Sequence, residues 1–243
     1  MKHAIGSISI AIAIIMASFF IGNSYKYKFK SQESISVTGL AEKDFESDQI
    51  VWTGSYNRKT MDLKEAYSLL KHDEQVIRAY LQNKQIQSRE IVFSSVSINK
   101  EYQTRFDENG KETGRYFDGY TLSQSVTVDS RDIDKIEKVS REVTELIESG
   151  IEFNSAPPSY FYTRLSELKL DLLAKASADA RKRAETIAKN SGSGLGKILN
   201  ANMGVFQITA TNGNEDYSYG GAFNTSSRYK TASVTTKIDY AVD

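Results

Sequence analysis

Between Ala174 and Lys197 the chain reads AKASADARKRAETIAKNSGSGLGK, an alanine-striped helix that stops on glycine and passes straight into a strand. Leu165, Leu168, Leu172, Ala176, Ala180, Ala184 and Ile187 step by three or four, so they share one helical face. Small side chains along that face let a helix lie close against a sheet or another helix. This constrains packing and specifies no chemistry.

The rest of the chain supplies the layer for that helix to cover. Strands are expected near residues 34–40 and 49–58. Asp62 with Glu65 three residues later is a capping-box pattern, opening a helix whose Leu63, Tyr67, Leu70, Ile77 and Leu81 share a face. Segments 91–106 and 115–128 alternate in character around Asn109-Gly110, which predicts a long hairpin with a polar, tyrosine-rich outer half. Ser130 is placed to cap a second helix, with Ile133, Ile136, Val143 and Leu146 inward and Gly150 ending it. Residues 151–162 carry both prolines of the chain, Pro157 and Pro158, and read as an edge strand or bent connector. The striped helix spans about 164–190, and two strands near 196–210 and 229–240 follow it. The expected fold class is α+β: helices packed on an antiparallel or mixed sheet with a long central β-hairpin.

Ahead of this lies an uncharged apolar stretch, Ala4 to Gly22. As a helix it would be about 28 Å long, close to the thickness of a bilayer's hydrocarbon core. Lys2 precedes it, so residues 1–24 read as a signal-anchor or signal peptide and 25–33 as a linker, leaving 34–243 as the domain. The expected location is the cell envelope, with the domain outside the cytoplasmic membrane. The domain is anchored through residues 4–22, or secreted if the segment is cleaved.

Charge and residue inventory narrow the function. The chain has 31 basic and 31 acidic residues, and four of the lysines (Lys2, Lys26, Lys28, Lys30) lie in residues 1–30, which hold no acid. The remainder is therefore mildly acidic, which argues against nucleic acid as a partner. There is no cysteine, so disulfides and thiolate chemistry are excluded. Of the two histidines, His3 precedes the apolar stretch and His72 lies mid-helix between Lys71 and Asp73, which supplies neither a zinc ligand set nor a serine–histidine pair. No catalytic, metal or cofactor residues are assigned.

Three patterns have a functional reading beside an ordinary one. Carboxylates can act in pairs, as in glycosidases, and the candidates are Asp44, Glu46 and Asp48, or Asp107 and Glu108. All five sit in connections or turns, where acids are ordinary. Gly192-Ser193-Gly194-Leu195-Gly196 resembles a phosphate loop, but it closes a helix and opens a strand, the reverse of a dinucleotide fingerprint, so it reads as a helix cap. Arg181, Lys182 and Arg183 sit beside Asp179 and Glu185, which is the pattern of a solvated helix face; an anionic ligand or acidic neighbouring subunit is the alternative.

The tyrosines are the least ordinary feature. Tyr102, Tyr116 and Tyr120 crowd the hairpin, Tyr160 and Tyr162 flank the proline edge, and Tyr217, Tyr219, Phe223 and Tyr229 lie in or beside the last loop. Rings that are apolar on one side and hydrogen-bonding at the rim suit protein interfaces. Tyr102, Phe106, Tyr116 and Tyr120 are the candidate self-association residues.

Asp179, Ala180, Arg181, Arg183, Ala184, Glu185, Ile187 and Ala188, followed by Gly192 and the run Leu195 to Leu199, resemble the C-terminal pattern of the SIMPL-domain family of bacterial cell-envelope proteins, which include periplasmic immunogenic proteins. The opening Ile35-Ser36-Val37-Thr38-Gly39, Asp48 and Val51-Trp52-Thr53-Gly54 are similar to that family's first strand pair. Tyr102 and Gly119-Tyr120 match its hairpin. Where the family has a Pro-Gly turn before its last strand, this chain has Thr225-Ser226-Ser227-Arg228. The resemblance covers about residues 34–240. It implies an extracytoplasmic α+β domain that often assembles into large hollow oligomers, with no catalytic residues to carry over. The expected function is a non-enzymatic oligomeric envelope protein with a structural or stress-protective role, its partner itself. The alternatives are a binding module for an envelope ligand that the sequence does not identify or, less favoured, a carboxylate-dependent hydrolase.

Overall fold

The computed structural model describes residues 14–22, 33–213 and 218–243. Residues 14–22 are helical. The remainder of the apolar stretch, the linker up to residue 32, and Tyr217 lie outside the described residues. No helix among the described residues is long and apolar enough to cross a membrane.

The order is β1 (Ser34–Glu46), β2 (Gln49–Thr60), α1 (Leu63–Asn83), β3 (Ile91–Phe93), β4 (Ser97–Phe106), β5 (Glu112–Ser130), α2 (Ile133–Glu142), β6 (Phe153–Ser155), β7 (Ser159–Phe161), α3 (Leu165–Asn190), β8 (Leu195–Met203), β9 (Gln207–Ala210) and β10 (Tyr229–Val242). The α+β class holds, but the strands divide between two sheets, with antiparallel pairing throughout the named strands. In the first, β10 is central, β1 runs along one side over its whole length, and β8 and β9 share the other side end to end. In the second, β2 and β5 are central; β3 and β4 line the outer side of β5, and β6 and β7 that of β2. One sheet was expected because periodicity reports which residues face a core and carries no information on which core that is.

Each sheet has its own helical layer. Ile50, Trp52, Tyr56, Leu122, Val126 and Val128 pack under α1 and α2, with Trp52 completely buried. Val37, Ala41, Ala232, Val234, Ile238 and Tyr240 pack under α3. Burying each large apolar side chain contributes about 1.5–3 kcal/mol, so these two layers dominate stability. The striped helix buries Leu168, Leu172, Ala176, Ala180, Ala184 and Ala188, but Ile187 is exposed. Ala188 takes the inward place, keeping the four-residue step. On α1 the inward set is Ala66, Leu70, Asp73, Ile77 and Leu81, so Leu63 and Tyr67 face outward. Asp62 does cap α1, its carboxylate accepting the Glu65 amide at 2.8 Å. Asp132, not Ser130, caps α2, whose last turns tighten into a 3₁₀ segment ending at Gly150. The Ser130 hydroxyl instead accepts from the Asp132 amide and donates to Glu90.

The sheets meet at Ser47-Asp48, the two residues between β1 and β2. The Asp48 carboxylate accepts both the amide of Thr163, at 2.6 Å, and its hydroxyl, at 2.7 Å, fixing the entry to α3. Arg228, just ahead of β10, pairs with Asp134 and Glu46, and its hydrogen bonds to Asp134 and then Glu46 push its guanidinium further above its ordinary range. Lys230 is buried and donates to the Tyr160 carbonyl. The Tyr160 hydroxyl, pushed up to about 12 by burial and the neighbouring Glu137 carboxylate, donates to Glu137.

Candidate functional site

The pairing of β2 with β5 ends at Thr60 opposite Tyr120, while β4 and β5 continue together to Phe106 opposite Glu112. Residues 101–119 therefore form a two-stranded arm projecting beyond the sheet. Two β-bulges, which add Asp118 and Thr113 to β5, bend it. At its tip Asp107 accepts the amides of Asn109 and Lys111, and Gly110 takes a positive φ of 76°. Asn109 does not share that conformation. The turn is the five-residue loop Asp107 to Lys111, held by Asp107, and Gly110 alone supplies the positive φ expected of Asn109-Gly110.

The bulge at Asp118 decides which aromatics meet. Phe117 stacks edge-on between Tyr102, at 5.9 Å, and Tyr120, at 5.0 Å. Tyr120 leans on the core beneath α1, whereas Tyr102 is 57% exposed. Tyr116 belongs to a different group: its hydroxyl donates to Gln103 at 2.7 Å and Arg105 lies over its ring at 4.7 Å. Phe106, near the tip, is 64% exposed. The four candidate self-association residues thus form no single patch. Tyr102 and Phe106 are open, Tyr116 is held within the arm, and Tyr120 is partly core. Phe117, the ring that links two of them, was missed because an extra residue in one strand is invisible to period-two reading. Asp118, bound by Lys59 and Gln103, is held below the usual carboxylate range by the Lys59 contact first.

The other patterns resolve into framework. Asp44 accepts from the Thr231 hydroxyl, Glu46 pairs with Arg228, and Asp48 holds Thr163. Gly192 has a φ of 74°, and the Ser193 amide returns to the Ala188 carbonyl, which closes α3 as a glycine cap. Arg181 pairs with Glu185 and Arg183 with Asp179, each one turn apart. His72 is exposed on α1. A buried polar chain joins α1 to the second sheet: the Tyr56 hydroxyl donates to Gln124 at 2.6 Å, and Gln124 donates to the Ser94 carbonyl and to Glu74. Burial, then the Glu74 and Asp73 charges, push the Tyr56 phenol well above its ordinary value. No group of His, Cys, Asp and Glu among the described residues is arranged to hold a metal ion.

A second open surface lies on the first sheet. Between α3 and β8 runs a groove of about 580 Å³ lined by Leu173, Ala178, Ile198, Ala201, Met203 and Ile238, with Arg181 and Lys197 at its rim. Ile198 and Met203 are each more than half exposed, because α3 lies over β1 and β10 and covers β8 only near Leu195.

The contacts of α3 account for the pattern from Asp179 to Ala188. The Asp179 carboxylate accepts the Leu40 amide from the outer edge of β1 at 3.0 Å and pairs with Arg183. Residues 35–240 match the model of SIMPL, described as a protein of unknown function (DUF541). The chain belongs to the SIMPL family. No curated protein matches it. In this SIMPL domain the paired Thr-Gly motifs have one physical reason. Gly39 lets α3 approach β1, and Gly54 makes room for the Phe153 ring, whose atoms lie 2.1 Å from where a β-carbon would be. Phe153 stacks there beside Trp52 and Tyr56.

Proposed function

We propose that this SIMPL protein is a non-enzymatic, self-associating component of the cell envelope with a structural or stress-protective role, its domain carried outside the cytoplasmic membrane by residues 4–22. The observation that carries the reading is the arm of residues 101–119, on which Tyr102 and Phe106 are each more than half exposed. Exposed aromatic rings on an arm that projects from the domain are the kind of surface that suits a partner. The non-enzymatic part is supported by the engagement of Asp44, Glu46 and Asp48 in framework contacts.

Light scattering on the purified chain tests the reading: the expected mass is a multiple of 27.2 kDa. A monomer that co-purifies with a small molecule would favour the alternative of an envelope ligand-binding module, for which the apolar groove beside β8 is the available site. Release of products from cell-wall fragments, abolished by a single Asp or Glu substitution, would establish a carboxylate-dependent hydrolase instead.

A further inference from the structure

We infer that the tip of the β4–β5 arm of one copy seats in the α3–β8 groove of the next, with Phe106 in the apolar channel and Glu108 against Lys197. This contact rests on the self-association proposed above and names its two surfaces.

The groove is a defect in an otherwise complete layer. The face of β8 that carries Ile198, Ala201 and Met203 continues the buried face of β10, where Thr236, Ile238 and Tyr240 lie beneath α3. That helix reaches β8 only near Leu195, so beyond it the core face runs out into solvent. Solvent-facing edge strands are ordinarily blunted by charge. The β4 edge has Lys100, Glu101 and Arg105 within ten residues, while β8 has Lys197 alone in nine. Lys197 also has no carboxylate within ion-pair distance among the described residues, whereas its rim neighbour Arg181 is matched to Glu185.

The arm's tip pairs an exposed ring with an excess of acid, Asp107, Glu108 and Glu112 against Arg105 and Lys111. Phe106 is followed by Asp107 and Glu108. The Asp107 carboxylate is spent on the turn's own amides, and Glu112 pairs with Arg115, which leaves Glu108 without an ion-pair partner among the described residues. An exposed ring beside an unmatched acid thus faces, in another copy, an exposed apolar channel beside an unmatched base. The chain's own residues 23–32 are the competing occupant, because Glu33 is hydrogen-bonded to Val242 near the groove's end. Their Lys26, Lys28 and Lys30 would be set against Lys197 and Arg181, and like charges disfavour that arrangement. Tip and groove are different patches, so the contact is head-to-tail: a ring results if the rotation closes.

The sequence has no cysteine, so introduced thiols report this contact alone. Full-length chains carrying Asn109→Cys and chains carrying Ala201→Cys are mixed in mild detergent and oxidised with copper phenanthroline. The expected product is a disulfide-linked dimer found in the mixture and not in either sample alone. Lys197→Glu in the groove copy is expected to lower its yield about tenfold, and Glu108→Lys in the tip copy to restore it. Phe106→Ser is expected to lower it with Trp52 emission unchanged, showing an intact fold. An oligomer that gives no mixed dimer, or one indifferent to Lys197→Glu, overturns this contact and leaves self-association standing. A monomeric wild-type chain overturns both.

Discussion

A β-carbon built on Gly39 falls 2.1 Å from the carbonyl oxygen of Ala176. The backbone of β1 and the backbone of α3 are therefore in direct contact, with no side chain between them, and the alanine stripe is the helix's half of that approach. Ala180 completes it, its amide and methyl lying 2.5 and 2.8 Å from the same point. Backbone atoms cannot step aside as a flexible side chain does. Gly39→Ala is expected to cost about 3 kcal/mol, lowering the melting temperature by roughly 6–12 °C. Gly220→Ala, which meets nothing within 4 Å, is the control and should stay within about 0.5 kcal/mol. Calorimetry on the two variants measures the difference.

Asp179 holds the same helix by charge. The Leu40 amide holds its carboxyl below the usual range against the opposing effect of burial, and the Arg183 guanidinium adds to the lowering. A carboxyl depressed in the folded state adds stability above its unfolded value near pH 3.9, and that contribution is lost as pH falls through the folded value. The urea midpoint of Asp179→Asn should therefore fall below wild type at pH 7. The gap should close as the pH is lowered from about 4 toward 2. A gap of constant size across that range would mean that Asp179 acts as a neutral acceptor.

Much of this was legible because it is written in local periods. The alanine stripe, the Asp62 cap, the hairpin and its overhang beyond the sheet, and the glycine cap at Gly192 all follow from spacing within a few residues. What was illegible depends on residues far apart in sequence. Asp48 and Thr163 are 115 positions apart, so the sequence marks Asp48 as a turn acid, a family position and a candidate carboxylate without showing its partner. The break into two sheets occurs at Ser47-Asp48 without a glycine or proline to announce it. Ile187 was assigned inward on a three-residue step, while α3 continues the four-residue step that runs through Ala176, Ala180 and Ala184 to Ala188. The open face of β8 depends on the reach of α3 across the sheet, which no spacing within residues 196–203 reports, so the exposure of Ile198 and Met203 has no local sign in the sequence.

The proposed location turns on residues 4–22. Alkaline phosphatase folds to its active form only where its disulfides form, outside the cytoplasm. A fusion after residue 40 should be active in a bacterial host, and the same fusion with charges placed in the apolar stretch should not. An inactive phosphatase, together with an active cytoplasmic reporter at the same site, would place the domain inside and remove the envelope role.

The arm offers the clearest separation of assembly from folding, because its exposed and its core-bound rings adjoin. Tyr102 and Phe106 face solvent, so replacing both by Ser removes apolar surface that only a partner would bury, at about 1.5–3 kcal/mol for each ring that is well buried in the assembly. The oligomer should shift to smaller species while Trp52, the single tryptophan and fully buried under α1 and α2, keeps its blue-shifted emission. Tyr120→Ser should behave differently. That ring packs against the core and against Phe117, so its loss is expected to lower stability by about 2 kcal/mol whatever the oligomer does. Scattering and denaturant unfolding on the two variants distinguish the roles. If Tyr102→Ser with Phe106→Ser leaves the mass unchanged, the arm is not the contact surface, and the exposed Tyr219 and Phe223 become the next residues to replace.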